Sequence, residues 1–195
     1  LNSFTNYAHH TYHLPQNHFI KWVAFVVSML EIIIFAKILF EVAKDLRKVR
    51  LKKHQPFNAA ARFIDLTKYW NLVLLFFAIL ISVPQLNTFI HGTTVIMAHA
   101  MGCEIAIDSY ILFAIMAYLI GDLFANKNQA TALLHSKKSK SYILYMNTFL
   151  IGLLTLLAGN GILRGVFSFM DYQLPSWISY YPYLFIFFGF GVFYF

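Results

Sequence analysis

Apolar residues fall along this chain in five long blocks, separated by short polar or basic stretches. The blocks cover residues about 22–42, 65–83, 89–120, 142–169 and 177–195. Crossing a hydrocarbon layer of roughly 30 Å takes about 20 residues of helix. Each block meets that length, and the third and fourth exceed it, so those two can tilt or project beyond the bilayer. The pattern predicts an all-α integral membrane chain with five transmembrane helices. Gly152, Gly159 and Gly161 in the fourth block are small enough for close helix contact.

Composition agrees with that architecture. The 195 residues are 59% hydrophobic and 12% charged, where soluble domains are about one quarter charged. Mean hydropathy is +0.63. A single cysteine, Cys103, leaves no internal disulfide, and its place inside an apolar block reads as a small buried side chain. Leu1 is not an initiator methionine, no signal peptide precedes the first block, and the last block runs into Tyr194-Phe195 without a polar flank. The expectation is a segment of a longer polypeptide, truncated at both ends.

The net charge of +7 is concentrated in two loops and implies no nucleic-acid partner. Lys44, Arg47, Lys48, Arg50, Lys52 and Lys53 follow the first block, and Lys127, Lys137, Lys138 and Lys140 follow the third. The alternate loops lack basic residues, as five crossings with positive loops in the cytoplasm require. This orientation suits a multi-pass protein of a bacterial inner membrane and sets His9, His10 and His91 near the outer face. Membrane lipid is the partner expected at the basic loops. Tyr172, Trp177, Tyr180, Tyr181 and Tyr183 form an interfacial belt.

Four of the eight histidines, His13, His18, His54 and His135, sit in polar or flanking segments and read as solvated. The others carry the chemistry. His91 opens the third block and His99 follows eight residues later, about 12 Å deeper on a helix. An ionisable side chain that deep must face protein, water or a metal. Met101, two positions on, points about 200° away from His99 around the same helix. The vicinal pair His9-His10 precedes the first block, and adjacent imidazoles in a turn can both reach one ion. Glu104 and Asp108, at i and i+4, form a proton or cation path or else bond to a neighbouring helix.

Taken together, Tyr7-Ala8-His9-His10 and the run His91-Gly92-Thr93-Thr94-Val95-Ile96-Met97-Ala98-His99-Ala100-Met101 resemble the core of the haem-copper oxidase superfamily. Within it, His91-Gly92-Thr93, Ala98-His99-Ala100-Met101-Gly102 and Ser28-Met29-Leu30-Glu31 are similar to nitric oxide reductases. The resemblance implies the last five helices of a twelve-helix fold. It assigns His99 as proximal ligand of a high-spin haem b, His9 and His10 as ligands of a second metal, and His91 to the haem propionates. Glu31 becomes an acid in the buried pocket, relaying protons. The second metal is non-haem iron for NO reduction to N2O, or copper for oxygen reduction to water. Leu1-Asn2-Ser3-Phe4-Thr5 lacks the tyrosine that one class of oxygen reductases carries ahead of the His pair.

One departure stands out. The superfamily pattern has histidine where this chain has Met101. Methionine is a competent haem ligand, so the resemblance allows a His/Met low-spin haem. It also leaves open, as an alternative, a haem-poor relative acting as an assembly or interaction subunit. The remaining ligands belong to N-terminal helices of the same subunit, upstream of Leu1. A cytochrome c subunit or quinol serves as electron donor, and the substrate is a small gas.

Overall fold

The computed structural model describes residues 15–51, 59–123 and 136–194. Among them, every regular element is helical. Helix α1 spans His18–Leu51 and α2 spans Ala59–Ser82. A short α3, Pro84–Ile90, leads into α4, Thr94–Met101, which continues through a π-helical stretch, Gly102–Ser109, into α5, Tyr110–Leu123. Helix α6 covers Lys137–Phe169, and α7, Tyr181–Phe193, follows a 3-10 turn at Ser176–Tyr180. Among the described residues, five stretches are long and apolar enough to cross a membrane: His18–Ile38, Ala59–Ser82, Thr94–Gly121, Lys137–Phe169 and Ser176–Phe193.

The third span differs from its sequence expectation. Residues 89–120 read as one block, yet the helix breaks at His91–Thr93 and the crossing starts at Thr94. Pro84 stands at the start of α3, where a helix needs no backbone donor. After α3, Gly92 takes φ +76°. That left-handed conformation costs a residue bearing Cβ far more. The Thr93 side chain then caps α4 by accepting from the Val95 N–H at 3.3 Å, a standard way to satisfy an orphan donor at a helix start. Its hydroxyl also donates to the Ile90 carbonyl at 2.6 Å, tying the turn to α3.

Span three is the centre of the packing. Its Ala98, Ala106 and Tyr110 are almost wholly buried, together with Leu74 of α2, Leu150 of α6 and Val192 of α7. Apolar burial drives little here, because lipid is as apolar as the core; close packing and hydrogen bonds hold the helices together. At Gly161 of α6 an added Cβ would strike the Val95 backbone nitrogen, and at Gly165 it would lie 2.5 Å from the Phe89 carbonyl oxygen. Gly161 therefore bears out the small-residue expectation. Gly159 does not, since nothing lies within 4 Å of its Cβ position.

Polar side chains fasten the same interfaces. Thr94 Oγ1 donates to the Leu157 carbonyl at 2.7 Å and accepts from Asn160 Nδ2 at 3.1 Å. Deeper, Trp70 Nε1 of α2 donates to Asn147 Oδ1 of α6 at 2.8 Å, and the Tyr110 hydroxyl donates to that oxygen at 3.3 Å. Helix α1 packs mainly against α2 and α3, buries Ala24 and Ser28, and shows most of its described apolar side chains to the membrane.

Candidate functional site

His99 lies in the second turn of α4, inside span three. The neighbouring Ala98 is the residue buried against α2 and α6, so the His99 ring emerges to one side of that seam, half buried. Phe77 of α2 meets it edge-on, with ring centroids 6.0 Å apart. One nitrogen, Nε2, is 3.9 Å from Cys103 Sγ, one helical turn deeper. The other, Nδ1, is shielded from solvent and has no hydrogen-bond partner among the described residues.

That arrangement is chemically specific. A buried ring nitrogen without a partner forfeits its solvation and gains nothing in return, at about 1–3 kcal/mol. Thiol sulfur is a weak acceptor and a weak donor, so Cys103 does little for the other nitrogen. An imidazole nitrogen can also ligate haem iron, and His99 carries its ring inside span three.

Met101 shares α4 with His99 and is partly buried against the central apolar cluster. Its sulfur is soft and polarisable, suited both to that packing and to ligating haem iron. His91 is not on the helix that carries His99. It sits, exposed, in the turn after α3, closing that helix with its N–H on the Asn87 carbonyl at 2.8 Å. The expectation of one continuous helix from His91 to His99 fails at Gly92-Thr93. The depth difference expected from helical rise fails with it, because three residues of turn interrupt the helix.

Glu104 and Asp108 both lie in the π-helical stretch, and both are exposed on it. π-helical turns are uncommon and recur at functional sites. Glu31 lies on α1, whose backbone carries it within the first span; its side chain is outside the described set. His9 and His10 lie outside the described residues. Among the described residues no three His, Cys, Asp or Glu side chains converge on one point.

Four polar residues beyond the histidine pattern belong to the same region. Asn160, 2% exposed, joins Thr94 to Arg164, whose Nε donates to Asn160 Oδ1 at 3.3 Å. This line runs from the N-terminal end of span three to a cation on α6. Asn71 of α2 is buried with its Oδ1 unpartnered among the described residues, one turn before Leu74, the residue packed on Gly102. Polar side chains at membrane depth are a signal in the sequence itself, and Asn71, Asn160 and Arg164 are all found by it. The pairings are not.

No family model, curated protein or solved structure matches this chain.

Proposed function

We propose that this chain forms the C-terminal part of the large subunit of a haem-copper-type nitric oxide reductase. The observation that carries the proposal is His99, an imidazole inside a membrane span with one ring nitrogen buried and unpartnered among the described residues. It occupies the position at which the sequence resemblance puts the proximal haem ligand. The five membrane-crossing helices support the matching architecture, the last five of twelve.

In this reading His99 would hold the high-spin haem b, and Met101 would hold a low-spin haem b. His9 and His10 hold the non-haem iron, with further ligands from upstream helices of the subunit. His91, in the turn before α4, belongs beside the propionates. The bound haem and iron supply the redox chemistry: two NO, two electrons and two protons give N2O and water. The chain's own residues position the metals, exclude water and move protons. Glu31 holds a proton near the reacting gas, and Glu104 with Asp108 offers carboxylates further along the third span. Electrons come from a cytochrome c subunit or a quinol, and the setting is a bacterial inner membrane.

The test is metal content and turnover of the purified full-length complex. One non-haem iron per chain, with NO consumed and N2O formed in a 2:1 ratio, is the expected result. Copper without non-haem iron assigns the chain to oxygen reduction instead. A pyridine haemochrome assay without haem removes both enzymatic readings and leaves the assembly role.

A further inference from the structure

Helices α2 and α6 stand on either side of span three and meet each other at few points. Between them an open cleft of about 440 Å³ runs from Leu66 and Tyr69 to Phe77, with Ala98 as its floor. Eleven residues of α2 separate Leu66 from Phe77, a rise of about 16 Å. That is close to half a hydrocarbon layer of roughly 30 Å. The cleft is therefore as deep as one leaflet. Beyond Phe77 a second cleft, of about 430 Å³, continues towards Phe89 and Val166.

The two clefts differ in what lines them. The second is wholly apolar. The first contains Asn147, whose orientation is fixed by its neighbours. Indole N–H can only donate, so the Asn147 oxygen must face Trp70, and the Tyr110 hydroxyl uses the same oxygen. The amide nitrogen keeps two donors with no partner among the described residues. Lys140 lies seven residues before Asn147 on α6. Two helical turns place it about 10 Å nearer the basic loops and on the same helix face. Its ammonium makes no ion pair among the described residues. On α2, Lys68 lies over the ring of the cleft-lining Tyr69, 4.8 Å from its centroid, with Asp65 at 3.9 Å. At this end the first turns of α2 and α6 carry Arg62, Lys68, Lys137, Lys138 and Lys140 against Asp65 alone.

We propose that the first cleft binds one anionic phospholipid of the leaflet that the basic loops face. An acyl chain lies along α2 and α6 as far as Phe77, an ester carbonyl accepts from the Asn147 amide, and the phosphate sits between Lys68 and Lys140. The positive rim selects the headgroup charge, and the free amide donor selects an acceptor at ester depth. The second cleft has neither feature and takes lipid without selection. This site stands apart from the haem reading and survives its failure.

Native mass spectrometry of the full-length membrane complex, supplied with phosphatidylglycerol or phosphatidylcholine, tests the site. One phosphatidylglycerol should be retained in preference to phosphatidylcholine. Lys140→Gln should weaken that retention about fivefold, the effect of one basic residue at an anionic surface, and leave phosphatidylcholine unchanged. Equal retention of the two lipids, or no effect of Lys140→Gln, overturns the proposal. A photoreactive residue in place of exposed Ile151 gives an independent readout. Cross-linking to phospholipid supports the site, and cross-linking to another helix of the polypeptide overturns it.

Discussion

Gly161 and Gly159 stand two residues apart on α6 and should respond to alanine in opposite ways. A Cβ at 161 meets the Val95 backbone nitrogen and lies 2.6 Å from Val95 Cγ2 and 3.0 Å from Thr93 Oγ1. Backbone cannot swing aside as a side-chain end can, so α6 must move away from α4. Overpacking of this kind costs about 1–3 kcal/mol. The displacement also stretches Thr94 Oγ1 to Leu157 O and Asn160 Nδ2 to Thr94 Oγ1. Interhelical bonds average about 0.6 kcal/mol each. Better helix propensity returns about 1 kcal/mol. The net loss for Gly161→Ala is therefore about 1–3 kcal/mol, whereas Gly159→Ala, with open space at its Cβ, keeps the gain alone. Thermal unfolding of the complex in one fixed detergent reads the difference. At about 2–4 °C per kcal/mol, Gly161→Ala should melt roughly 2–12 °C below wild type and Gly159→Ala at or above it. Equal melting temperatures for the two variants would refute the close approach of α6 to the start of span three.

Other substitutions probe separate links. Trp70→Phe removes the donor to Asn147 and should destabilise by about 0.6–1.7 kcal/mol, with Trp70→Phe and Asn147→Leu non-additive in a double-mutant cycle; full additivity would count against the bond. Asn160→Ala should cost about 1–3 kcal/mol by leaving Thr94 and Arg164 without their buried partner, and Asn160→Asp should recover the Arg164 contact but not the donor to Thr94. A wild-type melting temperature for Asn160→Ala would contradict that network. If Met101 ligates a low-spin haem, Met101→His should lower that haem's midpoint potential, since His/Met ligation lies above bis-His. An unchanged potential would place Met101 in the packing alone.

Much of the architecture is legible in the sequence, because hydrocarbon thickness imposes a length that five apolar blocks satisfy. Hydropathy is blind to the break between α3 and α4, since the residues on both sides are equally apolar. The signals lie in single residues instead: Pro84 to start a helix, Gly92 to leave it and Thr93 to cap the next. The π-helical stretch at Gly102–Ser109 has no such marker in the sequence; it packs chiefly against α2. At the site, depth alone singles out His99. Its orphaned nitrogen depends on which side of the Ala98 seam faces Phe77, a tertiary fact that no spacing rule supplies. Asn147 is similar: an asparagine in an apolar helix is visible, while the free half of its amide follows only from where Trp70 and Tyr110 stand.

The central claim is that the His99 ring holds haem iron within the membrane. Its most direct test is the optical and resonance Raman spectrum of the full-length complex carrying His99→Gly, recorded with and without added imidazole. The expected result is loss of the high-spin haem signature in the variant and its return when free imidazole fills the vacated space. A variant with the wild-type spectrum before any imidazole is added would contradict the claim.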